Sequence, residues 1–357
     1  MNINKEIKLS VIDIERDFKY DYFENVYGTE AMVSYGEDNL APNLFNNCYK
    51  NSATLKSIID GSVNYVLGDN IECNVASISE QVNRNGMTIR QFIANIAMSY
   101  FKFGGFAFQV IFSKAGIPVE LYPLDFARCR TNEKGTKIYY NKKWGKYTTK
   151  SDVYDRFDPK NIDWKKPTQI FYYKGDFTNN VYPLPPYFAS IKDILTEIEC
   201  SKYSLNTVAK GFSARYIFNF PSVNNLTDEQ KENIETAIKN KFCGSDNDAN
   251  FMLYWQDGDE KMEVTKIEQD DAPEKFIAIK DNCRENIFIA MRATPNLFGL
   301  PTKTTGFNSQ EYASCLKLYL KSVINPIQDI IIEVLNKVFN TKNSVKFIPF
   351  SINFENN

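Results

Sequence analysis

The sequence contains no histidine among its 357 residues. That absence removes the commonest general base, the commonest metal ligand and the usual partner of a nucleophilic serine or cysteine, and so argues against an ordinary hydrolase. A disulfide framework and a zinc ribbon are excluded next. The seven cysteines (Cys48, Cys73, Cys129, Cys200, Cys243, Cys283, Cys315) are odd in number, widely scattered and free of any Cys-x-x-Cys pair, which fits a reducing cytoplasm. No apolar run approaches the length of a membrane span, and Met1 to Ser10 carries mixed charge without an apolar centre. The expectation is a soluble, unexported chain with no membrane partner. An excess of one charge is missing too: 42 Lys plus Arg stand against 44 Asp plus Glu, so the chain does not grip nucleic acid by overall charge.

What is present is the material of a packed protein. Hydrophobic residues make up 43% and charged residues 24%, near globular averages, while 27 Phe and 21 Tyr form a high aromatic share. The length supports a sizeable core and two or three lobes. No internal repeat or low-complexity segment interrupts it.

Periodicity predicts the elements. Leu55, Ile58, Ile59, Val63 and Val66 form the buried stripe of a helix capped by Ser52 or Thr54 and ended by Gly68. A second stripe, Ile89 to Tyr100 behind the cap Thr88, closes at Gly104-Gly105, which lacks the lysine and helix start of a phosphate loop and reads as a strand-entry turn. Strands follow at Ala107–Phe112, Val119–Leu121 and Gln169–Tyr173, with a hairpin expected within Lys137–Tyr147, turning near Asn141 to Lys143. This α+β half ends at the stiff linker Tyr182-Pro-Leu-Pro-Pro186.

Beyond the linker the pattern changes. A long helix from Ile191 to Phe212 is followed by the strand Arg215–Phe220, a helix opened by the capping box Thr227-x-x-Gln230, and the strands Phe251–Trp255 and Met262–Ile267. A second long helix starts at Asp271-Ala-Pro-Glu274 and runs through Met291 to Pro295. A small polar loop then leads to a last helix opened by Asn308, in which Pro326 predicts a kink. A strand from Val345 to Phe354 closes the sequence.

This order resembles the portal proteins of tailed double-stranded DNA bacteriophages, the head-tail connector family. The strings that carry the likeness are Asp38-Asn-Leu-Ala-Pro42 with Ser52 and Leu67-Gly68; Phe103-Gly-Gly-Phe-Ala107; Tyr122-Pro-Leu-Asp125 with Arg128; and Ile287 to Pro301. The resemblance implies a portal-like α+β fold: an α+β wing over residues 1–187, stem helices over 188–213 and 271–293 flanking a small α/β clip over 214–270, a tunnel loop over 294–307, and a kinked wing/crown helix with a terminal strand over 308–357, the crown being reduced. It further implies a non-enzymatic subunit of a homo-oligomeric ring, a dodecamer, at the capsid vertex of the virion and assembled in the host cytoplasm. Its partners would be the terminase large subunit, a head-tail adaptor, the major capsid protein and duplex DNA passing transiently through the channel, with no cofactor. Thr302, Lys303, Thr304, Thr305 and Gly306 would form the DNA-proximal loop, where short polar side chains suit weak phosphate contact. Arg215, Tyr216 and Tyr254 would meet the docking partners.

Two other readings stand beside it. One is a different minor head or adaptor protein of a phage. The other is a magnesium-dependent nucleic-acid enzyme built on Asp257, Asp259 and Asp270. Those carboxylates sit in a strand-to-strand turn and at a helix start, where turn and cap chemistry explains them without a metal.

Overall fold

The computed structural model describes residues 24, 31–145, 151–175, 180–209, 216–222, 227, 229–230, 232–233, 236, 251–257, 263–266, 272–300 and 309–351. Helices α1 (Ala41–Asn51) and α2 (Ala53–Leu67) are separated by one residue, Ser52. Its extended backbone breaks the first helix, and its hydroxyl caps the second by accepting from Leu55 N at 3.1 Å. Helix α3 (Ile89–Phe103) opens with a full capping box, Thr88 and Gln91 each bonding to the other's backbone. It stops at Gly104, whose left-handed φ of 77° turns the chain into β2 (Gly105–Phe112).

Three antiparallel sheets complete this lobe. In the first, β2 is central between β3 (Pro118–Leu124) and β7 (Thr168–Lys174). Its alternation buries Phe106 and Phe108, which stack on Tyr173 and Phe171 at 4.9 and 5.0 Å between centroids. The second has the order β4 (Cys129–Thr131), β5 (Lys137–Tyr140), β6 (Asp152–Asp155). The third joins β1 (Asn70–Cys73) to β11 (Val345–Ile348).

Across the Pro183–Pro186 linker come α4 (Ile191–Ala209), β8 (Tyr216–Ser222), β9 (Phe251–Asp257), β10 (Glu263–Lys266) and α5 (Ala272–Ala290). Strand β8 pairs in parallel with β9 and antiparallel with β10. The parallel pair needs a crossover, and residues 229, 230, 232, 233 and 236 within it are helical. The capping box expected there is present: Thr227 N donates to Gln230 Oε1 at 3.0 Å and Gln230 N to Thr227 Oγ1 at 3.4 Å. The chain ends through α6 (Ser309–Tyr319), a π-helical turn over Leu320–Ile324, and α7 (Asn325–Phe339). The architecture is mixed α and β, as the sequence predicts. No helix of the described residues is long and apolar enough to cross a membrane.

Two expected strands differ. The hairpin placed within Lys137–Tyr147 is wider, because β5 stops at Tyr140 and its partner β6 starts at Asp152. The intervening Trp144 leaves the ladder: its indole N–H donates to Arg128 O at 2.8 Å and its ring lies 5.0 Å from the Arg130 guanidinium. The last strand, expected to run to Phe354, ends at Ile348, since Pro349 follows it and lacks the N–H that would extend the ladder, and residues 352–354 lie outside the described residues. Phe350 then packs edge-on to Tyr65 at 5.2 Å.

Candidate functional site

The antiparallel pair α4–α5 is the feature that distinguishes this molecule. Asn286 Nδ2 donates to Asp193 Oδ1 at 2.9 Å near the root of the pair, and the Tyr203 and Phe276 rings stack at 4.5 Å farther out. Burial falls along it. Ile194, Ile198, Ile287 and Met291 are buried at the root, whereas residues 201–205 of α4 and 277–280 of α5 are all exposed. A hairpin laid on a core would be covered on one face along its length. Among the described residues this pair is covered only at one end, and the chain between its outer ends carries β8, β9 and β10, which pair only with one another there.

The root is fixed by a buried carboxylate. Glu197 of α4 is 4% exposed, and its oxygens accept from the hydroxyls of Ser52 and of Thr54, the latter at 2.6 Å. Ser52 thus caps α2 and holds α4 with one hydroxyl. Beside it, burial pushes the Cys283 thiol pKa up, and the Asp193 carboxylate adds to the rise, so the thiol stays protonated.

A cleft of about 270 Å³ opens beside this root, lined by Thr54, Ser57, Glu197, Lys280, Arg284 and Phe298 among others. Arg284 is paired with Asp281 at 2.8 Å. Phe298 ends a short 3₁₀ turn (Pro295–Phe298) that lies so close to α2 that a Cβ on Gly61 would stand 2.8 Å from its ring. Tyr65 OH holds the same turn by donating to Leu297 O at 3.0 Å. A second, apolar groove of about 480 Å³ is lined by Tyr100, Pro186, Met291, Val323, Pro326 and Ile327 among others.

Thr302, Lys303, Thr304, Thr305 and Gly306 lie outside the described residues, between the turn that ends at Phe298 and the start of α6. Arg215 is also outside them. Tyr216 opens β8 opposite Phe251 and Lys266, and Tyr254 lies in β9 opposite Asn219, which places both in one sheet. Pro326 stands in the first turn of α7, directly after the π-helical turn. Asp257 ends β9, and Asp259 and Asp270 are outside the described residues. Among the described residues no group of three metal-binding side chains is gathered. Glu197 and the Lys280–Arg284 pair were not singled out, because a charge in an amphipathic repeat carries no mark of burial or of a cleft.

A family model described as phage portal protein matches residues 75–354. The chain belongs to the phage portal protein family. It is a structural portal subunit, and the family match does not favour the nucleic-acid enzyme. Solved portal and neck structures share its fold. The neck of an empty gene transfer agent particle matches with a TM-score of 0.58 and 14% identity, covering 90% of this chain and 86% of that one. The neck of the native particle, computed with C12 symmetry, gives 0.56 and 14%, covering 88% and 85%. A portal protein of the HK97 family from Corynebacterium diphtheriae gives 0.54 and 12%, covering 85% and 94%. No curated protein matches the sequence.

Proposed function

We propose that copies of this portal subunit close head to tail into a ring around duplex DNA, with the α4–α5 pairs as the struts that set the width of the opening. The observation that carries this reading is the one-ended burial of the pair, with a separate small sheet at its far end. In this assignment residues 1–187 form the wing, 188–213 and 271–293 the stem, and 214–270 the clip. Residues 294–307 are the tunnel loop, with Thr302 to Gly306 nearest the DNA, and 308–357 are the wing/crown segment. After α7 the chain returns to pair β11 with β1.

The ring has twelve copies in this proposal, by analogy with the neck computed with C12 symmetry. It sits at the capsid vertex of the virion after assembly in the host cytoplasm, where it meets the major capsid protein. The clip, with Arg215, Tyr216 and Tyr254, docks the terminase large subunit during packaging and a head-tail adaptor afterwards. Near-neutral composition suits the conduit, because each tight cationic contact to a phosphate would add affinity that DNA must break to move. Negative-stain microscopy of the purified chain tests the proposal. Closed rings with a central hole and one radius are expected, and a population of monomers or two-fold dimers at micromolar concentration would sink it.

A further inference from the structure

We propose that the apolar groove between α3, the Pro183–Pro186 linker, the end of α5 and the start of α7 receives residues 11–18 of the same chain, with Arg292 at its rim meeting the acids of that segment. The inference goes beyond the ring reading and does not depend on it, because the contact lies within one subunit.

The groove is an open apolar surface. Its volume is about 480 Å³, and Tyr100, Leu184, Met291, Val323 and Ile327 are among the residues that line it. Leu318, one helical turn before the lining residue Ser322, is 68% exposed and extends the strip. Two irregularities of the backbone shape the groove. The π-helical turn over Leu320–Ile324 places Ser322 and Val323 in its wall. Arg292, just past the end of α5, has a φ of 52°, a left-handed conformation that glycine or asparagine usually takes at that place. Ala293 N closes the turn by donating to Phe288 O at 2.9 Å.

Charge selects the occupant. Among the described residues Arg292 is the one charged side chain lining the groove, and its guanidinium makes no ion pair or hydrogen bond with any of them. Around the rim, Lys321 and Asp329 adjoin Ser322 and Ile330 and offset each other. Lys174, beside Gly175, donates to Asn180 O at 2.8 Å, and Lys102, beside Phe101, lies over the Tyr49 ring. The balance at the rim favours an apolar segment that carries acids.

The chain preceding Glu24 has that composition and starts from the right place. Val11, Ile12, Ile14 and Phe18 are interspersed with Asp13, Glu15 and Asp17, and Arg16 is the only cation in residues 11–18. The carboxylate of Glu24 accepts from Val181 N at 2.6 Å and from Tyr182 N at 2.8 Å. Leu184 of the groove wall follows Tyr182 closely, at most about 7 Å along the chain. Phe18 reaches up to about 20 Å from the Glu24 anchor, which brings residues 11–18 to the groove. Other segments leave elsewhere. Residues 301–308 continue from Leu300, in the wall of the other cleft, and the chain after Ser351 departs where that hydroxyl donates to Asp69 at 2.6 Å.

Hydrogen exchange of the intact chain, read by mass spectrometry, tests the docking. Residues 11–18 are expected to be protected in wild type and to exchange roughly tenfold faster in Arg292→Glu, where repulsion replaces attraction. Adding Glu15→Lys should return the rate to within about twofold of wild type. Arg292→Gly removes the charge and relieves the positive φ, so it still reads the contact should the reversal unfold the chain, with a smaller acceleration. Ser322→p-benzoylphenylalanine, once irradiated, should cross-link to the tryptic peptide of residues 9–16. Unprotected residues 11–18 in wild type, equal rates in wild type and both single variants, or cross-links confined to the groove's own walls overturn the docking. So does a cross-link between heavy and light chains in an isotopically mixed sample, which would put the neighbour's segment in the groove. A protected and cross-linked segment in a chain that stays monomeric supports the docking while the ring reading falls.

Discussion

At the scale of single residues, two buried charges do more than any surface pair. Arg130 is 1% exposed and, among the described residues, has no carboxylate paired with it. Its guanidinium instead donates to Asn39 Oδ1 at 2.5 Å, Asn39 O at 2.7 Å, Ala127 O at 2.9 Å and Cys129 O at 2.8 Å. Burial pushes its pKa down, while Tyr182 and Tyr35 act in the opposite sense. Glu197 is the anionic counterpart at the root of the helical pair. Glu197→Ala would leave the Ser52 and Thr54 hydroxyls without their acceptor, at a cost of about 1–3 kcal/mol. Urea unfolding at neutral pH measures this, and a loss below a few tenths of a kcal/mol would show that the carboxylate does not anchor α4. Neither residue was legible in advance. Arg130 sits in a short strand whose partners are carbonyls remote in sequence, and Glu197 differs from the exposed Glu199 only by its place around the helix.

At the scale of elements, punctuation explains most of the agreement between sequence and structure. Ser52, Thr88, Gly104 and the Thr227–Gln230 box all act where local chemistry places them, because a cap satisfies its own backbone. Gly104→Ala should cost about 2–3 kcal/mol, given that alanine resists the left-handed region and its Cβ would stand 2.2 Å from Leu184 O. A thermal shift of less than a degree would contradict that. Strand β1 was missed for the opposite reason: its four residues become a strand only through β11, far along the chain. The sequence predicts a kink at Pro326, and a π-helical turn over Leu320–Ile324 ends two residues before it. There Asn325 N donates to Leu320 O, a bond one residue longer than in an α-helix. The proline ring would press on the carbonyl four residues back in a tighter coil, and the wider turn relieves it.

At the scale of the molecule, the lack of histidine has a direct thermodynamic result. No side chain of ordinary pKa titrates between about pH 6 and 8.5, so stability should be flat there. Burial pushes the thiols of Cys48 and Cys129 up to about 12 and raises Tyr35, Tyr172 and Tyr187 well above their usual value. A neutral acid held above its unfolded pKa stabilises the fold fully below that pKa and loses its contribution as pH climbs toward the folded value. Stability should therefore fall from about pH 9 onward as the unfolded thiols and then the phenols ionise. Unfolding midpoints in urea across that range check the sign, and a slope within the neutral plateau would contradict it. The family was legible from the order of elements, whereas the register of α4 against α5 is not encoded by periodicity. That pair, clamped at its base and uncovered toward its tip, is a cantilever. A load applied at the tip bends the free length first and reaches the lobe as torque on the Ser52–Thr54–Glu197 joint, which makes one capping serine the fulcrum of the subunit.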